Sequence, residues 1–293
     1  MGSSARSHSG DSGHFGDRCL GRVEVTGEPT RAVVALCSGL GGLASDWYPV
    51  SRLLEPGVAG IAVEFTPGGL PLRECVAALE RLRAHSASDM PFVLVGHSMA
   101  GMIVEAYARE HPELTAGAVL VDPSPEPPGS TAVDDPVTKA VRGLVRRGTV
   151  RRHPGLARRL GPALRGLMMT FGTLSAPDPD PVAARARFAD SGLFTDFLAE
   201  FASYPSRIRE LEKMRASSST PLAIPWTVLT AASAMGSGRA AARLLAAHAD
   251  LAAVSALGRH EVVGGADHLL GLDRPEVVAA AVHEIIRSAT SSG

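Results

Sequence analysis

The residue of this sequence with the clearest chemical potential is Ser98, in the stretch PFVLVGHSMAGMIVEAYA. An apolar run rich in β-branched residues, 92–95, precedes the serine, and a helical pattern, 101–108, follows it. The chain therefore passes from strand to helix within about four residues. Gly96 and Ala100, two positions to either side, are small enough for such a sharp turn. This pattern is typical of a nucleophile elbow, which lifts the serine hydroxyl above the edge of a sheet.

A serine hydroxyl attacks a carbonyl only when a base takes its proton and a third group orients that base. Of the ten histidines, His268 lies in the loop GGADHLLGLDRPE, between the last predicted strand and the last predicted helix. A loop at the carboxyl end of a strand reaches the edge of the sheet where Ser98 is expected to point. His268 is therefore the predicted base, and His97, inside the elbow, is expected to pack beside the site.

The elements that must position these residues alternate along the chain. Besides the elbow, apolar or alternating runs predict strands at 19–26, 32–37, 59–65, 116–121, 226–230 and 261–263. Amphipathic patterns predict helices at 72–84, 239–251 and 274–286, and Asp273 with Glu276 is interpreted as a capping box for the last helix. Strands and helices alternating at this spacing indicate an α/β protein with a mostly parallel sheet covered on both faces.

One long segment departs from this alternation. Residues 123–221 contain frequent prolines and several short helical stretches but no convincing strand, which predicts an inserted helical cap. The core is then expected to comprise residues 17–122 and 222–293. Residues 1–16 are small and polar, and we expect them to form a disordered lead.

Composition narrows the functional classes. The chain has 293 residues, of which 45% are hydrophobic, and a formal net charge of −1. That charge favours neither a nucleic acid nor a membrane surface as the partner. Three scattered cysteines, Cys19, Cys37 and Cys75, suit neither a disulfide framework nor a zinc site and are interpreted as small buried residues. Because no run approaches the roughly 18 apolar residues of a membrane span or forms a signal peptide, we expect a cytoplasmic protein without a membrane span.

Three motifs together resemble the α/β-hydrolase superfamily. They are the elbow VGHSMAG, the loop SGLGG followed by Trp47, and the closing GADHLLGLDRPEVV, and the order of elements agrees from about residue 20 to 290. The resemblance implies the α/β-hydrolase fold, with Ser98 as nucleophile and His268 as base. It implies neither a metal nor an organic cofactor.

The resemblance also implies an oxyanion hole formed by the backbone N–H groups of Leu40 and Met99. Two residues nearby depart from the usual pattern. Ser38 precedes the first loop glycine where many members carry His, and Ala100 stands where Gly is usual. Because the loop contributes backbone groups, the hole can persist, although Ser38 is expected to alter how the loop is braced.

The acid is the largest departure from the family pattern. In the family the acid commonly follows the strand that is here 226–230. The segment after this strand contains a single carboxylate, Asp250, and that residue lies far along a predicted helix. Asp122 ends the preceding strand, the sixth in the family's usual arrangement, and certain lipases and dehalogenases resemble this placement. Since neighbouring strand ends share one crevice, Asp122 is the predicted acid. Alternatively, Asp122 only caps the turn opened by Pro123, and a Ser–His pair acts without a carboxylate.

The predicted cap carries two further features. From Lys139 to Arg165 there are nine Lys or Arg residues and no acidic residue. This block can bind an anionic carrier, such as a phosphopantetheine-bearing substrate or an acidic carrier protein, or it can be the solvated face of a helix. Five of the eight phenylalanines also lie in the cap. If some of them face the cleft, the acyl substrate is apolar near its reacting carbonyl.

The residues and the resemblance together predict a serine hydrolase, meaning an esterase, lipase or thioesterase, that cleaves a small-molecule ester or thioester through an acyl-enzyme on Ser98. One alternative is an acyl-transferring, cyclising or lactone-forming enzyme with the same triad. Another is a non-catalytic, ligand-binding member of the fold. Hydrolysis of halogenated alkanes or epoxides is disfavoured, because enzymes of this fold that catalyse it resemble one another in carrying Asp at the position of Ser98.

Overall fold

The computed structural model describes residues 19–65, 68–86, 89–124, 136–217 and 220–291. Its strands are β1 (Leu20–Thr26), β2 (Ala32–Cys37), β3 (Val58–Phe65), β4 (Phe92–His97), β5 (Gly117–Val121), β6 (Leu222–Ala231) and β7 (Ser255–Val263). Its helices are α1 (Tyr48–Ser51), α2 (Leu72–Ser86), α3 (Ala100–Glu110), α4 (Pro136–Arg146), α5 (Thr149–Arg152), α6 (Pro154–Gly172), α7 (Pro181–Ala189), α8 (Ser191–Ser217), α9 (Gly238–Ala252), α10 (Leu270–Asp273) and α11 (Pro275–Ser291). The predicted lead, residues 1–16, lies outside the described residues, as do residues 125–135 of the predicted cap.

The described strands form one seven-stranded sheet in the order β1-β3-β2-β4-β5-β6-β7. Only the pair β1 and β3 is antiparallel, and all other neighbours run parallel. This arrangement confirms the predicted α/β fold with a mostly parallel sheet. Its functional consequence is that β2 to β7 end at one edge, so the residues that follow them lie close together.

Burial on both faces explains the continuous apolar strands. Every residue of β2, β4 and β5 is buried. In β4, Phe92 and Leu94 pack with residues of α2 and α3 on one face, whereas Val93 and Val95 pack with residues of α1 and α11 on the other. Helices therefore cover both faces, which fixes the elbow rigidly at the end of a central strand.

Two sequence predictions about element boundaries need correction. The strand predicted at 261–263 is much longer, because β7 begins at Ser255 and most of its residues are exposed, so it lacks the apolar run of a buried strand. Asp273 does not precede the last helix as its cap. It ends α10, and its carboxylate accepts hydrogen bonds from the backbone N–H groups of Leu174 and Asp267.

Helices α4 to α8 lie between β5 and β6, and charged side chains attach them to the rest of the chain. Arg165 of α6 pairs with Asp46 at 2.5 Å, and Arg215 of α8 pairs with Glu105 of α3 at 2.5 Å. Both acidic partners are buried. Such pairs position the helices strictly, because a buried charge without its partner is costly. In the part of the chain that the structure describes, no helix is long and apolar enough to cross a membrane.

Candidate active site

Ser98 occupies the short turn between β4 and α3. Its φ angle is 53°, in the left-handed region that costs a non-glycine residue about 1 kcal/mol or more. The turn is tight enough that a Cβ atom added at Gly96 would lie 2.8 Å from Val104 Cγ2. The backbone N–H of Ser98 donates to the carbonyl of Val121 in the neighbouring strand. These constraints hold the hydroxyl at the edge where the parallel strands end.

The three residues that the sequence predicted as a triad lie in one hydrogen-bonded chain. Nε2 of His268 is 3.1 Å from Oγ of Ser98, and Nδ1 of His268 is 2.6 Å from Oδ2 of Asp122. Because a carboxylate only accepts hydrogen bonds, Nδ1 of His268 carries the proton and donates it. Nε2 then presents a lone pair to the serine hydroxyl, which is the arrangement that a general base requires.

Asp122 reaches His268 because of an unusual backbone conformation at the end of β5. Its φ angle is 41°, and its backbone N–H donates to Leu229 of β6. The carboxylate is buried, and its second oxygen accepts a hydrogen bond of 3.0 Å from the backbone N–H of Ala231. Both carboxylate oxygens of Asp122 therefore accept hydrogen bonds from residues outside the turn at Pro123, rather than capping that turn. Asp250, the other carboxylate considered from the sequence, is exposed on α9.

His97 holds the backbone of His268. Its Nε2 lies 2.8 Å from the carbonyl oxygen of His268, and the two rings are 4.8 Å apart. Burial, and then the neighbouring His268, lower the pKa of His97 to about 3, so its imidazole is neutral at pH 7. Nε2 therefore carries a proton and donates it to the carbonyl of His268.

The loop that carries Leu40 approaches Ser98 closely. A Cβ atom added at Gly39 would lie 2.8 Å from Cβ of Ser98, so only glycine permits this approach. Ser38 braces the loop, since its hydroxyl donates to the carbonyl of Leu43 and accepts from the indole N–H of Trp47. Leu40 directly follows Gly39, and Met99 directly follows Ser98. Both predicted oxyanion donors therefore belong to backbone next to the serine.

Sequence reasoning missed a second network behind Asp122. Oγ1 of Thr230 lies 2.6 Å from Nδ1 of His248 and 2.7 Å from Nε2 of His260. Nε2 of His248 lies 2.8 Å from the carbonyl of Pro123. Burial lowers the pKa values of both histidines, so they are neutral and His248 donates to Pro123. The signal that could have revealed it is the position of His248 on the buried face of α9, beside Leu251.

A second missed residue is Ser124, which lies beside Ser98. Its Oγ atom is 3.2 Å from Oγ of Ser98, and its backbone N–H donates to the carbonyl of Ser98. It is the last described residue before 125–135. The motif VLVDPSP contains it two positions after Asp122, and this spacing was the available signal.

A mostly apolar cavity lies between the glycine loop and the helices that follow β5. Gly41, Gly42, Phe188, Phe194 and Phe197 are among the residues that line it. Three of the five phenylalanines predicted for the cap therefore face this space. The other two, Phe171 and Phe201, are exposed on the surface.

The basic block from Lys139 to Arg165 divides into two groups. Arg165 is buried and binds Asp46 and Asp178, and Arg142 donates to the carbonyl of Ala202. The remaining basic residues are exposed. Among the residues the structure describes, no group of three or more His, Cys, Asp or Glu side chains is arranged to hold a metal ion.

Comparison with known proteins places this geometry in a family context. The family model described as "Alpha/beta hydrolase family" matches residues 34–281. No curated protein matches the sequence. Among solved structures, Cfl2 from Burkholderia cenocepacia is 17% identical, with a TM-score of 0.65, over 91% of this chain and 92% of that chain.

Two further structures are similar at the level of the fold. A thermophilic esterase from Thermogutta terrifontis is 20% identical, with a TM-score of 0.61, over 92% of this chain and 95% of that chain. The epoxide hydrolase CorEH is 16% identical, with a TM-score of 0.63, over 91% of this chain and 95% of that chain. At these identities the likeness shows the shared fold alone.

Proposed function

The chain belongs to the alpha/beta hydrolase family, and we propose that it is a serine hydrolase that cleaves an ester or thioester through an acyl-enzyme on Ser98. The observation that carries the proposal is the hydrogen-bonded chain from Ser98 through His268 to Asp122. In this chain a weak nucleophile, a neutral base and a buried carboxylate stand in the order that proton transfer requires.

In the proposed reaction, Nε2 of His268 takes the proton from Oγ of Ser98 as that oxygen attacks the carbonyl carbon. The carboxylate of Asp122 stabilises the imidazolium that forms. The backbone N–H groups of Leu40 and Met99 bind the negative oxygen of the tetrahedral intermediate. The C–O or C–S bond then breaks, His268 protonates the leaving alcohol or thiol, and an activated water releases the acid in the same way.

The apolar cavity beside the glycine loop supports a substrate with an apolar group near its carbonyl. In this proposal the helices α4 to α8 form the cap, and Phe188, Phe194 and Phe197 contact that group. Rigid aromatic rings suit this role, because they bury a large apolar surface with little loss of side-chain entropy.

Two observations favour ester hydrolysis over the alternatives. The side chain of His268 is 42% exposed, so water can reach the base, which favours hydrolysis over acyl transfer or cyclisation. Ser98 at the elbow disfavours epoxide hydrolysis. Serine attack on an epoxide would form an ether, which water activated by His268 would not cleave, whereas the acyl-serine of an ester substrate is readily hydrolysed.

A fluorophosphonate probe tests the proposal, because it labels only an activated serine. We expect the wild-type protein to be labelled on Ser98, located by mass spectrometry of the digested protein, and to hydrolyse p-nitrophenyl esters. The Ser98→Ala variant is expected to lose both properties. Ser124→Ala is the matched control, since it removes the neighbouring hydroxyl and leaves the label on Ser98. Hydrolysis that survives in Ser98→Ala, or a folded wild-type protein that is not labelled, would refute the proposal.

A further inference from the structure

The outer face of α6 carries an apolar stripe that nothing within the described residues covers. Leu156, Leu160, Leu167 and Phe171 are 40%, 52%, 55% and 70% exposed. Their spacing places them on one side of the helix, with Ala163, also exposed, between them. The opposite side, which includes Ala157, Gly161 and Arg165, is buried. A solvated helix normally presents polar residues outward, so this stripe needs an explanation.

The segment that contains the stripe is rich in positive charge. Residues 136–172 include nine Lys or Arg residues and no Asp or Glu. Both arginines of α6 outside its buried side are exposed, Arg159 bordering the stripe and Arg158 lying on the far side of the helix. Arg151 and Arg152 are exposed on α5, which is separated from α6 only by His153. With Arg142 and Arg165 bonded within the protein, the other seven basic side chains are exposed to solvent.

We infer that the outer face of α6 is a docking surface for an anionic lipid bilayer, on which the helix lies in the plane of the headgroups. A helix with apolar residues on one side and arginines beside them binds such surfaces by inserting the apolar side chains and pairing the arginines with lipid phosphates. The docking depends only on the surface of α6 and not on the proposed reaction.

Charge and shape select the bilayer over other occupants. A second copy of this chain would present the same seven exposed basic side chains, and like charges facing each other oppose association. An acidic polypeptide would satisfy the arginines but would leave the leucines and Phe171 facing water. A bilayer with anionic headgroups accommodates both the charge and the apolar stripe.

The inner face of α6 connects this surface to the candidate active site. A Cβ atom added at Gly41 of the glycine loop would lie 3.2 Å from Cε of Met168. The carbonyl of Gly172, the last residue of α6, accepts a hydrogen bond of 2.5 Å from the backbone N–H of Leu269, next to His268. Docking through α6 would therefore place the lipid surface on the outer side of the helix whose inner side contacts the glycine loop.

Co-sedimentation with vesicles tests the docking without any catalytic readout. We expect the wild-type protein to bind vesicles that contain phosphatidylserine and not vesicles of phosphatidylcholine alone. We expect binding to weaken as salt is added. The variant Leu160→Gln/Leu167→Gln/Phe171→Gln should lower the partition coefficient roughly tenfold or more. Arg158→Gln/Arg159→Gln should lower it by about fivefold for each arginine.

Control variants carry the same kinds of substitution elsewhere on the surface. Leu257→Gln replaces a leucine that is 60% exposed on β7, and Arg239→Gln/Arg243→Gln removes two exposed arginines from α9. Both controls should bind like the wild type. Circular dichroism and thermal unfolding verify that every variant is folded.

Several results would overturn the inference. One is that the folded wild-type protein does not bind phosphatidylserine vesicles. Another is that the α6 variants bind these vesicles as well as their controls do. Retention on polyglutamate without vesicle binding would assign the surface to an acidic polypeptide. Concentration-dependent dimerisation in sedimentation velocity, lost in the triple α6 variant, would assign it to a second copy.

Discussion

Replacing Asp122 by Asn is the sharpest test of the proposed acid, because the structure fixes how the new amide would point. The backbone N–H of Ala231 donates to Oδ1 of Asp122, so the amide oxygen would remain on that side. The amide NH₂ would then face Nδ1 of His268, which lies 2.6 Å from the other oxygen. Two donors cannot face each other, so Nδ1 would lose its proton and Nε2 would carry it. His268 would then carry a proton on Nε2, the atom that must accept the proton of Ser98.

We expect this wrong tautomer to lower kcat by about 10⁴-fold, equivalent to roughly 5.4 kcal/mol of transition-state stabilisation. The assay is steady-state hydrolysis of a p-nitrophenyl ester, with fluorophosphonate labelling as a second measure of serine activation. Asp250→Asn is the matched control, because Asp250 is exposed on α9 and its substitution should leave kcat unchanged. A loss of less than about tenfold in folded Asp122→Asn protein would mean that the base acts without this carboxylate.

Three further predictions concern Gly39 of the glycine loop, His97 beside His268, and Arg165 of α6. Gly39→Ala should lower kcat by about 10²-fold or more, because the added methyl group would lie 2.8 Å from the nucleophile's Cβ and displace an oxyanion donor; unchanged kcat would contradict this. Because burial lowers the pKa of His97 to about 3, the unfolded state takes up its proton first as pH falls below about 6.5. Between pH 7 and pH 5 the wild type should therefore lose about 2 kcal/mol more of its free energy of unfolding in urea than His97→Gln does, and an equal loss in the two proteins would refute the assignment. Arg165→Gln should reduce the free energy of unfolding by about 3 kcal/mol or more, since it leaves Asp46 buried without its cation, whereas exposed Arg159→Gln should change it by less than about 0.5 kcal/mol.

Most of the fold could be predicted from the sequence, because the patterns that specify strands, helices and tight turns are local. A buried parallel strand must be apolar on both faces, and β2, β4 and β5 show this directly. The turn at Ser98 requires small neighbours within two residues, which is also a local steric rule. Most of β7 was not predicted from the sequence. An exposed edge strand needs no apolar run, so its extent was evident only from its pairing with β6.

The tertiary structure decided the contacts between distant segments. Asp122 could be proposed from its place after a strand, but its reach to His268 depends on its own left-handed conformation and on the pairing of β5 with β6. The link from His248 to Pro123 joins residues 125 positions apart, and no local pattern encodes it. Asp273 shows the converse, because a pattern that fits a helix cap is used instead for two longer-range hydrogen bonds.

The docking surface proposed on α6 likewise depends partly on the sequence and partly on the tertiary structure. The sequence alone shows a run of basic residues without acids, because charge is a property of residue types. The tertiary structure determines which arginines are exposed to solvent, since Arg165 is buried against Asp46 and Asp178. The outward position of Leu160 and Phe171 likewise depends on which side of α6 packs against the protein. Residue types fix the chemistry that is available, and the packing of distant segments fixes which of those groups meet each other, a substrate or a surface.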